Sequence, residues 1–183
     1  ILTSVMQFAM LPMQGVAQGA QPISSYNYGA KNADRVKKTF RLLLMVCLVY
    51  SFIIWGAVML FPRAFVSIFT PEEKLIAFAS EALRIYCGVM CLFGIQIACQ
   101  MTFVSTGNAL CSVVVAIVRK FVLLIPLIYV VPLLVQNKTV GVYMAEPIAD
   151  VIAVLFTVIL FAIQFRKSLK SLDKAKEAVP TAE

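Results

Sequence analysis

Histidine is absent from the 183 residues, which removes the usual zinc ligand and the commonest general base. Charge is scarce as well. Asp, Glu, Lys and Arg make up 14% of the chain, against about 25% in a soluble domain. Hydrophobic residues reach 61% and the mean hydropathy is +0.91. The shortfall in charge points to lipid as the main solvent and to one all-α, polytopic membrane domain. The chain also lacks a Ser/His/Asp set, a phosphate-binding loop and a Cys/His metal pattern, so no enzyme, no metal and no organic cofactor is expected. A basic n-region followed by a small-residue cleavage site is missing too. The chain opens Ile1-Leu2-Thr3 directly in apolar sequence, which reads as a start partway into a larger protein or as a trimmed one.

Five cysteines are present, Cys47, Cys87, Cys91, Cys99 and Cys111. All lie in or beside apolar runs, and Cys87, Cys91 and Cys99 follow helical spacing. They read as small packing residues. The net charge of +7 sits beside apolar segments, where it suits anionic lipid headgroups rather than nucleic acid.

A membrane span needs about 20 mostly apolar residues. Five stretches meet or approach this: 3–25, 40–61, 74–105, 110–136 and 140–165. Together they form a membrane domain over 1–166, followed by a charged tail at 167–183. The first is weakest, with Gln7, Gln14, Gln18 and Gln21 and several Gly and Pro positions. Between the first two lies Gln21 to Lys38, whose Pro, Asn, Gly and basic residues predict a turn-rich loop. Thr70-Pro71 predicts a helix start with Thr70 as N-cap. Ser105 to Ala109 predicts a tight turn through Gly107 and Asn108, and Gln136 to Thr139 a second. Asn137-Lys138-Thr139 has the glycosylation form but reads as part of that turn. With alternating direction, the loop at 26–39, the turn at 105–110 and the C-terminus share one side. That side collects twelve of the sixteen Lys and Arg residues; Arg63, Lys74, Arg84 and Lys138 fall on the other. The bias assigns the twelve to the cytoplasm, with an outer N-terminus.

Acidic groups inside a span are expensive and mark function or pairing. Glu146 and Asp150 stand i,i+4 on one face of the last span, with Pro147 between them. They can face an aqueous cavity and meet a cation, or satisfy a neighbouring helix. The candidate partner for the second reading is Arg84, about ten residues into its span from the outer side, as Asp150 is. Gln7, Gln14, Gln18 and Gln21 recur near helical spacing with Gly15 and Gly19, and can mediate close helix packing or line a wet cavity. Gln96 and Gln100 are a further i,i+4 cavity pair. Arg119 and Lys120 read as snorkelling to cytoplasmic headgroups, and Pro126 and Pro132 as bending their span.

Several separated motifs resemble one transporter family. Gly15-Val16-Ala17-Gln18-Gly19-Ala20-Gln21-Pro22, then Tyr26-Asn27-Tyr28-Gly29-Ala30-Lys31-Asn32 and Arg35-Val36-Lys37-Lys38, is similar to the segment joining the second and third helices of the C-terminal lobe in MATE multidrug exporters. Ser67-Ile68-Phe69-Thr70, Ala82-Leu83-Arg84-Ile85-Tyr86, Thr106-Gly107-Asn108-Ala109, Arg119 before Ile125-Pro126-Leu127, and Ala145-Glu146-Pro147-Ile148-Ala149-Asp150 follow in the family's order. The resemblance covers nearly the whole chain and lies closest to a bacterial drug- and dye-exporting branch.

It implies a twelve-helix, two-lobe antiporter in the bacterial inner membrane, exporting organic cations against Na⁺ or H⁺ by alternating access. This chain would be helices 8–12. The partners implied are membrane lipid, small organic cations and an N-terminal lobe of the same polypeptide that carries the coupling site. Some members hold an acidic residue midway along the tenth helix; Cys87 to Phe103 has none. Two alternatives stand beside this: a flippase for lipid-linked sugars, which a basic cavity would favour, and a non-transporting structural membrane module.

Overall fold

The computed structural model describes residues 2–134 and 138–177, and among them every regular element is helical. Two long helices, α1 (Leu2–Gly29) and α2 (Ala33–Leu60), lead into a short α3 (Pro62–Ser67) and α4 (Glu73–Tyr86). A 3₁₀ turn (Met90–Leu92) introduces α5 (Phe93–Ser105). Then come α6 (Ala109–Ile117), a π-helical segment (Val118–Leu124), α7 (Ile125–Leu134) and the long α8 (Lys138–Glu177). The turn expected at 136–139 falls partly outside the described residues, as Asn137 and the last residues of the tail do wholly. Lys138 and Thr139 already belong to α8, and the charged segment after 166 continues this helix to Glu177.

Chain reversals are closed by local hydrogen bonds. Lys31 adopts the left-handed conformation at φ 54°, Asn32 N–H donates to Asn27 O at 2.9 Å and Lys31 N–H to Tyr28 O at 3.1 Å. This paired closure is a Schellman turn. Asn32 then caps α2, its side chain accepting from Arg35 N–H at 3.2 Å. The connection is therefore residues 30–32 and not a loop over 21–38. Pro22 is absorbed within α1, as membrane helices allow when neighbours satisfy the freed groups. Gly107, at φ 76°, ends α5 the same way, with Asn108 N–H on Phe103 O at 2.9 Å and Gly107 N–H on Val104 O at 3.2 Å. The start of α4 also differs from expectation. Its N-cap is Glu72, and Thr70 Oγ1 only accepts from Glu72 N–H at 3.4 Å.

The uncharged run around Cys87 is broken, not continuous: α4 and the Met90–Ser105 segment meet at 48°. The break frees carbonyls, and α2 supplies donors to them. Trp55 Nε1–H donates to Gly88 O and Ser51 Oγ–H to Cys91 O, each at 2.9 Å. Close approach here depends on Gly94, where an added Cβ would lie 2.6 Å from Cys47 O and 2.7 Å from Ser51 Oγ. Gly15 and Gly19 differ. A Cβ at either meets nothing within 4 Å, so the GxxxG spacing packs no helix among the described residues.

α1 and α2 pack on each other and on α5, and α8 closes against α5, the π segment and α7. The main core gathers Val5, Met13, Cys47, Leu83 and Met90 between α1, α2, α4 and α5. A second cluster stacks Phe40 on Phe161 at 4.6 Å and Phe161 on Phe165 at 4.8 Å, with Phe103 edge-on to Phe161 at 5.2 Å. Asn108 Nδ2–H also donates to Ser168 Oγ at 3.0 Å. These contacts bring the start of α2, the 106–108 turn and the far part of α8 to one end of the bundle, where most of the basic residues lie. Among the described residues three helical stretches are long and apolar enough to cross a membrane: Ala33–Leu60, Ala109–Pro132 and Met144–Leu172. The bent pair makes a fourth if counted as one span, whereas α1, despite its 28 residues, carries too much polarity to be counted.

Gly94→Ala is expected to destabilise the protein by about 1–3 kcal/mol, the range for overpacking a tight contact. Gly15→Ala and Gly19→Ala should leave thermal unfolding of the purified protein unchanged or raise its midpoint slightly. Equal behaviour of the three would contradict the packing described.

Candidate functional site

Side chains from five elements meet in a cleft of about 250 Å³. α1 contributes Thr3, Gln7, Met10 and Gln14, which recur on one helix face. α5 adds Phe93, Gln96 and Gln100, and Tyr86 comes from the end of α4. The π segment adds Arg119 and Lys120, and α8 adds Glu146. Of the residues singled out from sequence, Gln14, Gln96, Gln100 and Glu146 thus share one wall system. Gln18 does not line the cleft: it is exposed, one turn beyond Gln14 on the same face of α1. Asp150 lies just behind the wall, buried at 2% exposure.

Asp150 is not the partner of Arg84. Its Oδ1 accepts from Arg119 Nε at 2.7 Å, with Arg119 Nη2 also at 2.7 Å. The reason is depth. Trp55 reaches Gly88, so Arg84, one turn before it, stands level with the end of α2. It lines a separate groove with Leu60 and Phe61. α4 overhangs α2, and counting residues from its first turn overestimates how deep Arg84 goes. Arg119 in turn does not snorkel. Its guanidinium lies over the Phe93 ring, 4.8 Å from the centroid, a cation–π contact that offsets part of its desolvation. Lys120 Nζ stands 3.8 Å from Glu146 Oε1, so each of the two cations lining the cleft is matched to a carboxylate, one on its wall and one just behind it.

The two pairs differ in kind. Arg119 and Asp150 side chains are 19% and 3% exposed and in direct contact. Lys120 is 56% exposed and its pair is long, so it is readily exchanged. Local backbone explains why both cations point inward. Pro126 has no N–H to give the preceding turn and its ring crowds that turn's carbonyl. The π segment ends at Leu124, just before it, and Arg119 and Lys120 are carried on that wider register. Such segments concentrate at functional sites. The Pro126 signal was in the sequence, but the π register it accompanies was not. Gln96 is the remaining anomaly: it is 2% exposed, yet its Oε1 has no hydrogen-bond partner, a state that costs about 1–3 kcal/mol. Among the described residues no group of His, Cys, Asp and Glu could hold a metal ion.

Comparison with known proteins places this geometry in context. The family model described as MatE matches residues 1–130. The multidrug export protein MepA of Staphylococcus aureus is 24% identical over 126 residues, covering 69% of this chain and 28% of that protein. MepA of Staphylococcus haemolyticus is 23% identical over the same length and is covered to 27%. The chain thus spans roughly a quarter of the curated relatives it matches. Among solved structures, the MATE multidrug transporter DinF-BH is 35% identical, with a TM-score of 0.77 over 86% of this chain and 35% of that one. A MATE structure in the bent conformation reaches a TM-score of 0.85 over 94% of this chain and 38% of that one. At 16% identity, this second likeness concerns the fold.

Breaking one side of a buried ion pair typically costs about 3–5 kcal/mol. Arg119→Met and Asp150→Asn should each approach that loss, whereas the double variant should lose clearly less than their sum. Chemical or thermal unfolding of the full-length protein measures this, and additive losses would rule out the coupling.

Proposed function

We propose, since this chain belongs to the MATE family of multidrug efflux transporters, that it forms most of the C-terminal lobe of a two-lobe exporter of organic cations. In this reading α1 is a fifth span, tolerated by the membrane because its glutamines face the cleft. The five spans correspond to helices 8–12, in the bacterial inner membrane with the C-terminus in the cytoplasm. The lobe rocks against an N-terminal lobe of the same polypeptide to alternate access. Exchange is against Na⁺ or H⁺, and the coupling site lies in that other lobe.

The observation that carries this reading is the composition of the cleft. A lipophilic cation needs hydrogen-bond acceptors, polarisable apolar surface and one accessible negative charge. Gln7, Gln14, Gln96 and Gln100 supply amide acceptors, Met10, Tyr86 and Phe93 supply apolar surface, and Glu146 supplies the charge. Lys120 holds Glu146 loosely enough that a cationic guest can displace it. Asp150, locked to Arg119, then serves to hold α8 in place. Gln96 Oε1 waits without a partner until a donor arrives. Because each cation of the cleft is balanced by a carboxylate, a phosphate-bearing lipid-linked sugar is a poorer fit.

Glu146→Gln in the full-length transporter should lower efflux of an ethidium-like cation at least several-fold, with unfolding unchanged. Gln96→Leu should lower efflux while leaving stability equal or higher, since it removes an unsatisfied acceptor. Efflux at the unaltered rate in both variants would defeat the assignment of the cleft. The 183 residues reconstituted alone in vesicles should accumulate no drug in response to an ion gradient. Coupled uptake by them would overturn the two-lobe requirement.

A further inference from the structure

A larger groove, about 610 Å³, opens at the other end of α2, away from the phenylalanine cluster. Leu60, Phe61, Pro62, Arg63 and Ala64 form one wall; Ala77, Ser80, Glu81 and Arg84 form the other, on one face of α4. Arg63, Glu81 and Arg84 make no ion pair within 4 Å among the described residues. Glu81 and Arg84 are three residues apart on one helix face and within reach of each other, yet they do not pair. Two guanidiniums and a carboxylate therefore line one concave surface with their charges unspent. The rim on the α2 side is apolar: Leu60 and Phe61 are 72% and 63% exposed. The apolar run of α2 ends at Leu60, so the groove sits where hydrocarbon gives way to headgroups.

We propose that this groove binds the headgroup of a zwitterionic phospholipid bearing a primary ammonium. Arg63 and Arg84 take the phosphate, for which the guanidinium fork is the best protein donor. Glu81 accepts from the ammonium, and the acyl chains descend over Leu60 and Phe61. Glu81 selects among lipids: a headgroup carrying only negative charge meets a repelling carboxylate, and a quaternary ammonium offers it no N–H. The site is on the opposite end of α2 from the basic cluster and shares no residue with the cleft.

Native mass spectrometry of the delipidated full-length transporter, titrated with phosphatidylethanolamine, phosphatidylcholine or phosphatidylglycerol, tests this. Phosphatidylethanolamine should be retained several-fold above the other two. Retention of all three should drop roughly tenfold in R63Q/R84Q, whose exposed positions leave unfolding unchanged. Glu81→Gln should abolish the preference for phosphatidylethanolamine over phosphatidylglycerol without lowering total retention. Equal retention of the three lipids, retention unaltered in R63Q/R84Q, or displacement of the adduct by millimolar inorganic phosphate alone would each overturn the proposal.

Discussion

The contact between Arg119 and Asp150 organises the half of the bundle built from α6 to α8. An arginine in the middle of an apolar helix is tolerated only if its charge is met at once, and here the carboxylate is 2.7 Å away on α8. Phe93, on α5, covers the guanidinium from the other side. The π segment, α5 and α8 are thereby pinned at one depth. Because Asp150 is consumed in this contact, the neighbouring Glu146 is left with the weaker partner. A structural carboxylate and an available one thus stand one helical turn apart on the same face, and the difference lies in whether the facing cation is Arg119 or Lys120.

The other half of the bundle depends on satisfying backbone groups in the absence of water. α2 is the donor in each case: Trp55 and Ser51 serve the break before α5, and Tyr50 Oη–H donates to Ala9 O at 2.9 Å. These polar side chains lie on an otherwise apolar helix, and each reaches a carbonyl on a neighbouring segment. Close approach makes the reach possible, and Gly94 makes the approach possible. The chemistry of the break is thus written in α2, some forty residues earlier in the chain.

The sequence made much of the outline legible. Helical character, three long apolar stretches and the turn at Gly107 follow from hydropathy and turn chemistry, and the family is the one that the motifs resemble. Gln14, Gln96, Gln100 and Glu146 were recognisable as polar residues out of place in lipid. What stayed hidden was phase and depth. Nothing in residues 118–124 marks a π register, so Arg119 and Lys120 read as headgroup anchors. Residue counting places Arg84 too deep because α4 overhangs its neighbour. The loop after α1 shrank to three residues because a Schellman turn and an Asn32 cap fit within Asn27 to Arg35, where composition alone suggests a long irregular stretch.

A bent, interrupted helix in a moving protein invites the label of hinge, and the break between α4 and α5 does not behave as one. A hinge must exchange one set of backbone partners for another at little penalty, yet here the Gly88 and Cys91 carbonyls are tied across to Trp55 and Ser51 of α2, so any change of angle also breaks bonds to α2, in a setting without water to take them over. The break therefore travels with α2 as a single stiff body. Compliance, if the lobe flexes internally, belongs to the stretch from Val118 to Pro132, where a widened register and two prolines have already loosened the ladder and one face of the helix lies largely uncovered. A part of the chain that looks disrupted is thus a braced joint.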